Sequence, residues 1–219
     1  MKRCGLSAVV ALLLTLFASQ CAFGLSVLML TDSSGSMSSV ESTLKSRLES
    51  AGFTVNTLWD GDSQSNYTAA FANNDVVYVP SDVSATDIGT KLRLCTIGVV
   101  NELVGFMYDL GLCTTAGTTT SVSSITIATN SHYITSPYAT GLFTVGSSTY
   151  AVSRVGGTTA SGAVILATVG GVNSIVAVDT GGTLANTISS NSTLSNMSTP
   201  TPARRAGRKT LQQLDKGSR

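Results

Sequence analysis

The chain has 219 residues, with 13 Lys+Arg, 12 Asp+Glu and one His; 42% of residues are apolar and only 11% charged. That balance suits one packed domain with a tail and excludes a globally disordered chain. The formal net charge of +1 is unevenly laid out: residues 1–24 carry +2, residues 25–203 carry −6 and residues 204–219 carry +5. An acidic central segment excludes a phosphate-neutralising groove, so nucleic acid is not an expected partner.

Residues 1–24 read as a secretory signal peptide. Lys2 and Arg3 form a positive start, an apolar stretch runs from Leu6 to Ala18, and Ala22-Phe23-Gly24 fits a small-residue cleavage site. The apolar stretch is shorter than the ~20 residues a bilayer requires, and no later segment is long and apolar enough to span one. Export takes Cys4 and Cys21 away with the signal and leaves Cys95 and Cys113. In an oxidising compartment these two read as a disulfide worth ~3 kcal/mol in the chain-entropy treatment, with two buried thiols as the rival reading. Asn66-Tyr67-Thr68, Asn191-Ser192-Thr193 and Asn196-Met197-Ser198 are glycosylation sequons, so Asn66, Asn191 and Asn196 are candidate acceptors.

The mature segment opens on Leu25–Leu30, an apolar run typical of a buried parallel strand. A helix follows over 39–51, with Val40, Leu44 and Leu48 as its stripe, and Gly52 stops it. A strand over 53–58, a weaker helix over 67–72, a strand over 75–80, a helix over 87–94, a strand over 96–100 and a helix over 103–110 come next. That order argues for a mostly parallel sheet covered by helices. Beyond it, 123–128, 141–145, 150–155, 162–168 and 174–179 are β-branched runs broken by glycines. They read as added strands, partly antiparallel. From about residue 186 to the end, Ser, Thr, Asn and Pro give a linker and then a basic disordered tail. The tail contains Arg205-Ala206-Gly207-Arg208, a minimal processing pattern. The folded domain is therefore placed at 25–185.

Asp32-Ser33-Ser34-Gly35-Ser36 stands directly after the first strand and resembles the D-x-S-x-S cation loop of von Willebrand A domains. The resemblance implies Asp32, Ser34 and Ser36 as hard-oxygen ligands for Mg²⁺, with Thr86 and Asp179 completing the set. In a chain with 31 Ser and 30 Thr such matches arise cheaply, and the rival reading is a βα turn whose hydroxyls cap a helix.

A second resemblance covers more of the chain. Its pieces are SVLMLTDSSGSMSSVESTLKSRLESAGFTVNTLWD, NNDVVYVPSDVSATDIGTKLR, TIGVVNELVGFMYDLGL, NSHYITSPYATGL with Tyr133 in place of a proline, and VILATVGGVNSIVAVDTGGTL. In order and spacing they resemble the class I glutamine amidotransferase-like superfamily, in a secreted, uncharacterised branch distantly like the trehalose-utilisation proteins. The resemblance implies an α/β fold: an open, mostly parallel flavodoxin-like sheet with helices on both faces. It also implies an extracellular protein or carbohydrate partner. The nucleophile elbow of that superfamily falls near Asn101-Glu102-Leu103, where no Cys stands. Nucleophilic catalysis needs a thiolate or alkoxide beside a base, and His132 has no Cys partner in sequence. The expectation is a non-catalytic secreted or cell-surface module without a cofactor. The other expectations are the cation-dependent adhesion module above and a hydrolase using Asp32, Glu102 and Asp179. Glu102 is the candidate ligand-binding carboxylate at the end of the fourth strand. Asp109 would lie ~10 Å from it along one helix, too far for a tight dyad.

Overall fold

The computed structural model describes residues 24–185. The signal peptide short of Gly24, the tail from residue 186 on, Asn191, Asn196 and the Arg205–Arg208 pattern lie outside the described residues.

Four short strands form an all-parallel sheet: β1 (Ser26–Thr31), β2 (Thr54–Trp59), β3 (Val76–Val79) and β4 (Gly98–Asn101), in the order β2-β1-β3-β4. The central strand β1 is an uninterrupted apolar run, as a strand covered on both sides requires. The pleat sends alternate residues to opposite sides. Val27 and Met29 join Leu48, Phe53 and Val55 in one cluster, whereas Leu28 and Leu30 join Tyr67, Phe71, Ile88, Leu92 and Phe106 in another. Leu48 belongs to α1 (Ser39–Ser50), Tyr67 and Phe71 to α2 (Gln64–Ala72), and Ile88 to the short α3 (Ala85–Ile88).

Each helix begins on a serine whose hydroxyl accepts a backbone N–H three residues on: Ser38 from Glu41, Ser63 from Asn66 and Ser84 from Asp87. Side-chain caps of this kind satisfy donors that the first helical turn leaves unpaired. The helix expected over 87–94 is two pieces, α3 and a 3-10 turn, Lys91–Leu94, parted at Gly89 with φ +52°. The helix expected over 103–110 is also corrected: only Val104–Phe106 forms a 3-10 turn, and looser turns follow. Phe106 packs under the parallel sheet, while the next residue, Met107, packs with Cys113 and Val155. Because only turns follow Phe106, Glu102 and Asp109 share no helix face.

The rest of the chain is antiparallel. β5 (Cys113–Val122), a strand absent from the expected set, pairs with β8 (Tyr150–Thr159) as a two-stranded ribbon. A four-stranded sheet runs β10-β9-β6-β7, from β6 (Ser124–Ile127), β7 (Gly141–Thr144), β9 (Ala163–Val169) and β10 (Val172–Val178). β9 and β10 are joined by Gly170 and Gly171 at φ +57° and +78°, a two-residue turn that only glycine makes without strain. The ribbon and the sheet share an apolar cluster of Ile125, Ile127, Ala167 and Val169 with Val122 and Val152. Ser174 Oγ donates to the Ser153 carbonyl at 2.6 Å, and Asn173 Nδ2 to Thr159 Oγ1 at 2.7 Å, pinning β10 to β8. Among the described residues no helix is long and apolar enough to cross a membrane.

Candidate functional site

In an open parallel sheet, ligands bind outside the carboxyl ends of the strands. Here that edge consists of the segments leaving Thr31, Trp59, Val79 and Asn101. The Asp60 amide donates to the Thr31 carbonyl at 2.8 Å and the Glu102 amide to the Val79 carbonyl at 2.9 Å, so each exit is tied to the strand beside it.

The exit of β1 is an exposed loop that returns to α1 at Ser38. Both ends of the loop are held by one side chain. Glu41, 1% exposed, accepts the Asp32 amide at 2.8 Å on Oε1 and the Ser38 amide at 2.6 Å on Oε2. Ser38 returns the interaction by capping the Glu41 amide, completing a capping box. Inside the loop, Thr31 Oγ1 donates to the Ser33 carbonyl and the Gly35 amide donates to Ser33 Oγ, both at 3.3 Å. Asp32, Ser34 and Ser36 are all exposed.

The exit of β2 turns on Asp60, which is completely buried. Its Oδ2 accepts the Ser84 amide at 2.7 Å. Its carbonyl accepts the Tyr67 hydroxyl at 3.0 Å and Lys91 Nζ at 2.9 Å. Its Oδ1 is buried without a hydrogen-bond partner. Burial raises the Asp60 pKa above the ordinary carboxylate value, and the nearby charges of Asp32 and Asp87 push the same way. Asp60 thus locks the start of α3 to the end of β2. In the sequence Asp60 is marked only by the D-G-D turn, which names no partner. Glu41 is legible as the fourth residue of S-x-x-E, and its spacing to Lys45 also allows an exposed i,i+4 ion pair. Lys45 pairs instead with Glu49.

The exit of β4 carries Glu102, exposed and hydrogen-bonded to the Tyr78 hydroxyl. Burial, then the Glu102 charge, raises the Tyr78 pKa, so the phenol stays a donor and Glu102 its acceptor. Asn101 Nδ2 closes the turn onto the Leu103 carbonyl at 3.0 Å.

The remaining sequence candidates do not gather here. Asp179 follows β10 in the other sheet, and its Oδ2 lies 3.4 Å from His132 Nε2. His132 Nδ1 accepts the Ile134 amide at 3.2 Å, which leaves the ring proton on Nε2, facing Asp179. The imidazole thus lies between the loop after β6 and the end of β10, with Nε2 buried and without a hydrogen-bond partner. Thr86 is exposed on α3. Among the described residues no three His, Cys, Asp or Glu side chains are grouped to hold a metal ion. Of the cation set, Asp32, Ser34 and Ser36 follow β1 and Thr86 lies on α3, whereas Asp179 follows β10 of the other sheet.

The expected cross-link is not formed either. Cys95, at the amino end of β4, donates to the Ile97 carbonyl at 3.3 Å, and Cys113, the first residue of β5, donates to the Thr115 carbonyl at 3.1 Å. They sit in separate apolar clusters. Burial pushes the Cys95 thiol up to about 11 and raises Cys113 as well. Neither lies at the carboxyl edge. Asn66 stands exposed on the first turn of α2, with its amide nitrogen 2.6 Å from Asp62 Oδ1. The chain matches no protein-family model, no curated protein and no solved structure, so the site is read from its own geometry.

Proposed function

We propose that this chain is an exported, non-catalytic extracellular or cell-surface module of amidotransferase-like, flavodoxin-like fold. It uses the carboxyl edge of its parallel sheet as a binding surface for a carbohydrate or protein partner. The strand order β2-β1-β3-β4 supports the fold, since it matches the start of the flavodoxin-like order. Helix α1 against one side and α2 with α3 against the other support it further.

One observation carries the functional reading. Where the amidotransferase elbow would present a nucleophile, this chain has Asn101-Glu102-Leu103, and the Glu102 carboxylate is engaged by Tyr78. Both thiols are buried elsewhere with raised pKa values, and the imidazole stands beside Asp179 at the end of β10 in the other sheet. Covalent catalysis needs a nucleophile and base within hydrogen-bond reach. The hydrolase alternative loses its third carboxylate with Asp179, which follows a strand of the other sheet.

The test is expression of the full chain in a secreting eukaryotic host. The expected product is in the medium, begins at about residue 25 and carries a glycan on Asn66. It releases no ammonia from glutamine and hydrolyses no ester or glycoside substrate. Turnover abolished by Glu102→Ala, Cys95→Ser or Cys113→Ser would overturn the non-catalytic reading. Retention of the whole chain inside the cell would overturn export.

A further inference from the structure

The chain contains one tryptophan, and it stands at the carboxyl edge. Trp59 ends β2 in register with Thr31, the residue from which the hydroxyl-rich loop departs. It shares pleat parity with Val55, which packs with Leu48 of α1, so the indole lies on the side where α1 begins. Trp59 is 39% exposed. It leans on Gly61: a Cβ at that position would stand 2.4 to 2.8 Å from three indole ring carbons. Only a residue without a side chain leaves the ring where it is.

Next to Trp59 in register, the loop leaving Thr31 carries the exposed Asp32, Ser33, Ser34 and Ser36 and is clamped at both ends by Glu41. Asp32 is near enough to raise the Asp60 pKa. Lys91, the nearby cation, is occupied by the Asp60 and Asp87 carbonyls. An exposed aromatic ring at a strand end whose neighbour leads into a loop of hydroxyls with one carboxylate suits a sugar ring, whose C–H face is apolar and whose rim is hydroxyl. The negative charge selects against uronic, sialic and sulfated sugars. A protein partner of standard size would bury about 800 Å² on this side, and one indole does not supply the apolar centre of such a patch.

From this the geometry points to a neutral-saccharide site in which Trp59, seated on Gly61, stacks under one sugar ring and the Asp32–Ser36 loop hydrogen-bonds its hydroxyls. This rests on the proposed module function and names its ligand class.

Because Trp59 is the sole tryptophan, its emission reports this site alone. The secreted protein is titrated at millimolar cellohexaose, maltohexaose, chitohexaose and mannohexaose, with polygalacturonate as the anionic control. A saturable change with at least one neutral hexasaccharide and none with polygalacturonate is expected. By calorimetry, Trp59→Ala weakens that binding about tenfold or more, and Trp59→Phe retains part of it. Gly61→Val, folded by circular dichroism, loses binding because the ring is displaced. Emission unmoved by all four neutral probes overturns the proposal, as does a response to polygalacturonate alone or unchanged calorimetric binding in Trp59→Ala. Failure here with no hydrolysis leaves the non-catalytic reading standing. Shortened oligosaccharide products would sink that reading while leaving the Trp59 site in place.

Discussion

Replacing Glu41 tests whether the Asp32 loop is a built feature or a slack connection. The carboxylate makes two charge-assisted hydrogen bonds, at 2.8 and 2.6 Å, while 1% exposed. Bonds of this type are worth ~1.5–3 kcal/mol each, and burying the charge takes back several kcal/mol of the sum. Glu41→Ala strands two amides that belong to exposed residues, so water reaches them and the penalty falls at the low end, ~1 kcal/mol each. The expected net loss is about 2 kcal/mol. In a domain of this size that lowers Tm by ~4–8 °C. Glu41→Gln separates hydrogen bonding from packing. It keeps the stem but turns an NH₂ group toward one of the two donors, so its loss should match that of alanine. Urea unfolding followed by Trp59 emission gives the free energies, and amide exchange at Asp32 and Ser38 locates the effect. A glutamine variant within 0.5 kcal/mol of wild type, with exchange unchanged at both amides, would refute the clamp.

Other perturbations have equally definite outcomes. Asp60 has a folded pKa raised above its unfolded value, so its stabilising contribution is complete below about pH 4 and is lost as pH rises through the raised value. Asp60→Asn should therefore gain on wild type from pH 4 to pH 7 in urea titrations, and a difference that stays flat or reverses would contradict the burial argument. With Cys95 near 11, about one thiol in a thousand is ionised at pH 8, so native labelling should be far slower than labelling in urea. A mass deficit of two hydrogens in the secreted protein would instead reveal the 95–113 bridge that this structure lacks. Leu166, completely buried in β9, should lose about 2–5 kcal/mol on change to alanine, measured by urea unfolding. A loss under 1 kcal/mol would mean that the antiparallel half packs loosely.

The parallel half was legible because its signals are local. Leu25–Leu30, Val76–Val79 and the Leu44/Leu48 stripe can be read within a few residues, and the serine caps lie one turn from the helices they start. β5 was missed because CTTAGTTTSV has no alternation of apolar and polar residues; its signal is threonine, a β-branched residue, and its partner β8 lies far along the chain. The same distinction separates the site's parts. The Glu41 clamp is a four-residue motif, but the unpaired oxygen of Asp60, the phenol facing Glu102 and the approach of His132 to Asp179 each depend on where distant segments come to rest. The D-x-S-x-S resemblance is legible in its first three residues, which are contiguous, whereas Asp179 would need β10 in the parallel sheet. β10 pairs with β9 instead, because Gly170-Gly171 folds it back as a hairpin before it can cross over. A two-glycine turn is thus what carries Asp179 away from the carboxyl edge and leaves that edge to Asp32, Asp60, Glu102 and the tryptophan beside them.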